Sequence, residues 1–205
     1  MATITAVKPQ KSKKRVNIYL DGKFGFGLDL ENFVRLGLKV EQELAEKEIV
    51  EIVKKGEFQK TSDKLIRFAT LRPRSEKEVN DWLRKKKVHK SLHKQLFEKL
   101  TKLELLDDEK FANWWVEQRL SFKPRGERVL MAELRQKGID KGVAESVINK
   151  ADINEEKIAK LVLEKKAYKW DKYEGFEKRK KLSDFLARKG FGWATINKVV
   201  KELVD

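Results

Sequence analysis

The chain has 205 residues, no cysteine, and 48 Lys/Arg against 33 Asp/Glu, a net charge of +15. The missing cysteines exclude disulfides, Cys-ligated zinc and a thiol nucleophile. A basic surplus of this size points to an anionic partner or an acidic surface on another protein, and 40% charged residues favour several small cores over one thick globule.

Three strands are predicted first, at residues 3–8, 15–20 and 23–28, rich in β-branched and aromatic side chains. Gln10 to Lys14 is a polar, basic link between the first two. Asp21-Gly22 is a hairpin signal between the others, because both positions of a type I′ turn need φ > 0. A short helix near residues 30–36 stops at Gly37, and a longer one near 41–55 stops at Gly56.

From Ser62 onward the period is helical throughout. Ser62 is read as the cap of a helix reaching Leu71, with Leu65, Ile66 and Ala69 inward. Pro73 ends it, and Ser75 with Glu78 forms a capping box for the next helix, which turns Val79, Trp82 and Leu83 inward. A third helix, at 90–103, buries Leu92, Leu96, Phe97 and Leu100. Asp107-Asp108 suit a helix N-terminus. The helix they open carries Phe111, Trp114, Trp115 and Leu120 to Phe122, breaks at Pro124, and resumes to Lys137 before Gly138. Residues 141–151 complete that unit. The last unit comprises 154–170, 176–189 closed by Gly190, and 194–203.

Leu83, Leu134 and Leu186 stand 51 and 52 residues apart. A period of that size marks stacked supersecondary units, each too small to bury its apolar face alone. Arg72-Pro73-Arg74-Ser75-Glu76 returns as Lys123-Pro124-Arg125-Gly126-Glu127, and a weaker third copy keeps Leu182, Leu186 and Lys189-Gly190. The predicted fold is mainly α, with three tandem three-helix repeats in an elongated array behind a small β-hairpin-containing N-terminal module. The divisions fall at 1–60, 61–106, 107–152 and 153–205.

The charge follows the repeats. Residues 1–61 carry +3, while the windows 72–90, 123–141 and 172–190 around the middle helices carry +5, +3 and +4, the whole of the remainder. Lys77 and Arg84 lie seven apart, on one helical face. Arg128 and Arg135 are their equivalents; Lys180 continues the series and Ala187 interrupts it. Lys86, Lys137 and Lys189 correspond in all three repeats. With Arg72, Arg74, Lys87 and Arg125 beside them, these cations are the candidate contact residues for a linear anion or an acidic groove. The competing reading is a solvated face with no partner. Recurrence at the repeat period favours a continuous binding surface.

Other constellations carry less. His89 and His93 share a helical face, but Lys87, Lys90 and Lys94 beside them oppose a cation, so no metal is expected. Gly22, Gly25 and Gly27 lie in a hairpin and not at a strand-to-helix turn, which argues against a phosphate cradle. Asp107-Asp108-Glu109 reads as helix-start chemistry. Trp82, Trp114, Trp115, Trp170 and Trp193 read mostly as core, with one of the adjacent pair turned between repeats or toward a contact surface.

Leu105-Leu106-Asp107-Asp108-Glu109-Lys110-Phe111-Ala112, followed by Arg119, Pro124-Arg125 and Glu133 to Ile139, resembles the RecX family of bacterial regulators of the RecA recombinase. Arg72 to Glu76 and Leu186 to Phe191 also look like family positions, although Phe176-Glu177 replaces the third Pro-Arg element. The resemblance covers Ser62 to the end, and residues 1–60 are similar in kind to an N-terminal extension of some members. It implies a non-enzymatic protein without cofactors that binds RecA and its nucleoprotein filament, lodges in the filament groove, and restrains ATP hydrolysis and strand exchange. The alternative is a general DNA binder, acting on single- or double-stranded phosphates with little sequence preference. Residues 1–15 lack the apolar core of a signal peptide and no apolar run reaches membrane length, so a cytoplasmic protein is expected; a monomer is the expected state.

Overall fold

The N-terminal residues form an antiparallel sheet whose alternation decides which face is buried. β1 (Ala2–Pro9), β2 (Arg15–Leu20) and β3 (Lys23–Asp29) form a meander, and a fourth, two-residue strand, β4 (Glu43–Leu44), pairs with the free side of β1. The order is β3-β2-β1-β4. Asp21 and Gly22 both have positive φ, +48° and +79°, as the hairpin requires. This is a computed structural model. It describes residues 1–11 and 13–204, so Ser12 of the predicted link and Asp205 at the end of the third repeat lie outside the described residues.

Ile4, Val16, Ile18, Phe26 and Leu28 point to one side of the sheet and form a core with Leu38, Leu44 and Ile52. Asp29 caps α1 (Leu30–Arg35), accepting from the Asn32 amide at 2.8 Å. Helix α2 (Glu46–Thr70) then runs unbroken. The expected stop at Gly56 and the new helix start at Ser62 are both absent. Gly56 is buried where α2 crosses β3, and a Cβ there would lie 2.8 Å from Leu28 Cδ1. Glycine serves close approach here, not termination. Ser62 is buried in the helix interior.

The chain falls into two compact units. One holds Met1–Arg72 with Lys85–Leu103, where a single 3-10 turn (Lys90–Leu92) leads into α4 (His93–Lys102). The other holds Pro73–Arg84 and everything described from Glu104 onward. The middle helix of the first predicted repeat, α3 (Glu76–Lys85), therefore falls up to Arg84 in the unit of the second and third repeats. Those comprise α5 (Asp108–Phe122), α6 (Glu127–Gln136) and α7 (Lys141–Lys150), then α8 (Glu155–Glu164), α9 (Gly175–Lys189) and α10 (Trp193–Val204).

The 51- and 52-residue register holds in the packing. Val79, Leu130 and Leu182 are buried, as are Leu83, Leu134 and Leu186 and, in the third helices, Leu96, Val147 and Val199. Each such side chain contributes about 1.5–3 kcal/mol. Separate cores form around Phe111 and around Phe191. Helix α8 stops at Glu164, short of the predicted 170. A 3-10 turn (Ala167–Lys169) carries the chain to Trp170, whose ring packs 4.9 Å from Phe185. Trp193, read with the other tryptophans as core, is 65% exposed, and Phe122 is 76% exposed, because each sits at a helix terminus beyond the buried stripe.

Candidate functional site

The predicted basic residues divide into two classes with different work. The first class builds the joints between repeats. At the first joint Ser75 Oγ donates to the Lys137 carbonyl at 2.7 Å and accepts from the Glu78 amide, so one hydroxyl caps α3 and the end of α6 together. Lys77 Nζ donates to the Gln136 carbonyl at 2.7 Å, a cation on the negative end of a helix dipole. Glu78, only 12% exposed, takes Lys137 Nζ at 2.7 Å and Arg74 at 3.7 Å. Asp107 caps α5 through the Lys110 amide, and Asp108 accepts from the Glu76 amide at 2.9 Å. Burial raises the Asp108 carboxyl above its ordinary value, the Glu76 amide works against that, and Asp107 adds to it.

The second joint repeats the plan with different atoms. The Gly126 amide donates to the Lys189 carbonyl at 3.0 Å, and the Glu127 amide to Glu155 Oε1 at 2.9 Å. Glu155 Oε2 also accepts from the Gly192 amide and Thr195 Oγ1, each at 3.1 Å. The Glu127 carboxyl is raised by burial and then by the facing Glu155. Burial, with Arg125 and Lys166 nearby, pushes the Lys189 ammonium below its usual value.

The second class is exposed. Arg128 and Lys180, at equivalent positions of their middle helices, reach solvent, as do Arg84 and Arg135, whereas Lys77 at the same position of α3 is held by the Gln136 carbonyl. Among the described residues Arg84 pairs only with Asp81 one turn back, an exposed contact of small energetic value. Thus the structure brings Arg74, Lys77 and Lys137 together at one joint and Arg125 and Lys189 at the other. It leaves Arg84, Arg128, Arg135 and Lys180 on outer faces. Arg72, half-buried, and Lys86 and Lys87, both exposed, belong to the first unit.

Of the adjacent tryptophans, Trp115 is fixed against its own repeat. Its Nε1 donates to Glu133 Oε2 at 2.9 Å, the Arg119 guanidinium lies 4.4 Å from its ring, and Lys137 Nζ lies 4.8 Å away. Trp114 lies edge-on to it and lines a small cleft with Gln118, Phe122 and Lys123. His93 Nε2 donates to the Val88 carbonyl and His89 Nδ1 accepts from Ser91, so each imidazole serves local backbone structure. A cleft of about 570 Å³ in the first unit, lined by Arg35, Lys54, Lys55, Phe58 and Lys99, escaped sequence reasoning. Its cations come from three helices with no shared period.

Sequence profiles match the RecX N-terminal domain at residues 2–45, the second three-helix domain at 107–151 and the third at 154–200. A regulatory protein RecX from Bacillus licheniformis is 32% identical across 98% of this chain and 78% of its own length. The chain belongs to the RecX family. A Bacillus pumilus RecX is 35% identical across 100% of this chain and 79% of its own length. The crystal structure of RecX from Lactobacillus salivarius shares 25% identity with a TM-score of 0.62, covering 72% of this chain and 96% of that one. Another RecX crystal structure, 23% identical, has a TM-score of 0.72 over 98% of this chain and 100% of its own, and shares the fold. The second and third RecX domains are the α5–α7 and α8–α10 repeats, so both joints described above involve RecX three-helix domains. No helix among the described residues is long and apolar enough to cross a membrane.

Proposed function

We propose that the chain is a non-enzymatic modulator, mostly an inhibitor, of the RecA recombinase. It binds RecA and its nucleoprotein filament through the exposed cations of the middle helices. It thereby restrains ATP hydrolysis, strand exchange and filament growth in DNA repair and recombination, acting as a cytoplasmic monomer without a cofactor. Membership of a family of regulatory proteins supports this reading. The observation that carries it is the exposure of Arg128 and Lys180 at one repeat position, with Arg84 and Arg135 exposed seven residues beyond that position in their own helices. Such cations are long, solvated and available to an acidic or phosphate-bearing surface. Individually each contributes little. Carried on linked repeats, several weak contacts add through effective concentration. A binder of this kind alters turnover only by preferring one filament state over another.

The test is a titration of RecA ATP turnover on single-stranded DNA. Inhibition is expected at concentrations well below those that saturate naked DNA. Equal potency against an unrelated DNA-dependent ATPase would mean that occlusion of DNA phosphates explains the effect, and would overturn the reading.

A further inference from the structure

The two joints differ in electrical balance. At the first, Arg74 and Lys137 share the carboxylate of Glu78. At the second, the equivalent cations are Arg125 and Lys189, and the residue at the Glu78 position is Val129. Val129 packs against Gly190, where a Cβ would fall 2.5 Å from its Cγ2. A third cation joins the pair: Lys166 Nζ and Lys189 Nζ stand 5.6 and 5.5 Å from the centre of the Phe185 ring. Among the described residues, no carboxylate forms an ion pair with Arg125, Lys166 or Lys189. The Nε of Arg125 is buried and, among the described residues, has no hydrogen-bond partner. A buried donor left unpaired and like charges held together both cost stability, so the joint is strained in favour of an incoming anion.

We propose that Arg125, Lys166 and Lys189, around Phe185 at the joint of the second and third repeats, form a receptor for a carboxylate side chain from an acidic segment of a protein partner. The first joint shows which anion the arrangement suits: the same Arg-Lys pair there holds a glutamate. A planar carboxylate matches a guanidinium edge, and a half-buried position favours a slim side chain over a phosphodiester flanked by sugars. Such a receptor sharpens the regulatory reading by naming the chemistry of one contact. Its test needs no recombinase, so either can fail alone.

The experiment titrates the full chain with an acetylated, amidated hexaglutamate peptide by calorimetry, and in parallel with hexathymidylate. Val129→Glu supplies the carboxylate from within, as Glu78 does at the first joint, and Arg125→Gln removes the buried donor. Each is expected to weaken hexaglutamate binding at least about tenfold. Val129→Gln, of the same size, and Lys201→Gln, of the same net charge as Val129→Glu, are expected to stay within about twofold. Circular dichroism checks the fold, and Arg125→Gln carries the test if Val129→Glu does not fold. The proposal is overturned if Val129→Glu and Arg125→Gln match Lys201→Gln. It is also overturned if they weaken hexathymidylate as much as hexaglutamate, which would make the joint a phosphate site.

Discussion

Lys87, Gly138 and Gly190 occupy one position in the three repeats, just past the middle helix, and all three are left-handed, with φ of 53°, 84° and 90°. Glycine takes that conformation freely, whereas a Cβ costs about 1–2 kcal/mol. Lys87 is exposed, so Lys87→Gly is predicted to stabilise the chain by about 1 kcal/mol in urea denaturation. Gly190→Ala should lose at least about 2 kcal/mol in the same assay, since its Cβ would also lie 2.7 Å from the Val129 amide nitrogen. Lys189, next to it, gives a pH signature. Its folded value lies below the ordinary 10.5, so the folded chain releases this proton more readily than the unfolded chain does. Charged Lys189 therefore costs stability at neutral pH, and the cost is relieved as pH rises through the folded value toward 10.5. Lys189→Met is predicted to stabilise the chain at pH 7, with the gain shrinking by pH 10.5, as followed by urea midpoints across that range.

The middle helices do two jobs, one on each side. Their apolar stripes and inner cations join repeats, and their outer cations face solvent. The apolar stripe was readable because burial must recur every three or four residues, and the 51-residue step from Leu83 to Leu134 aligned the repeats. The division of cations was not, because Lys77, Lys137 and Arg128 look alike until a neighbouring repeat supplies Gln136 or Glu78 as partner. Helix α2 misled for a related reason. Glycine stops a helix in isolation, but Gly56 meets β3 from far along the chain, and that contact decides its use. The short strand β4 carried no signal of its own, since two residues are too few for alternation to register. Ser75 tests the joint itself: Ser75→Ala removes the cap of α3 and the bond to Lys137, and is predicted to cost about 1–2 kcal/mol by thermal or urea unfolding.

Across the whole chain, the +12 carried beyond residue 61 is not one uniform field. Part of it is tied up in ion pairs, between repeats as Lys137 with Glu78 and within one repeat as Arg119 with Glu133. What remains exposed on α3, α6 and α9 can reach an external anion, and α6 carries two such groups, Arg128 and Arg135, on one face. Neither belongs to a core or, among the described residues, to an ion pair, so reversing both charges should spare the fold. The decisive measurement is the affinity of the Arg128→Glu/Arg135→Glu variant for RecA filaments on single-stranded DNA, with helical circular dichroism as the control. Affinity lowered at least about tenfold, or about 1.4 kcal/mol, with the helical signal intact is the predicted result. Unchanged affinity in the folded variant would contradict it.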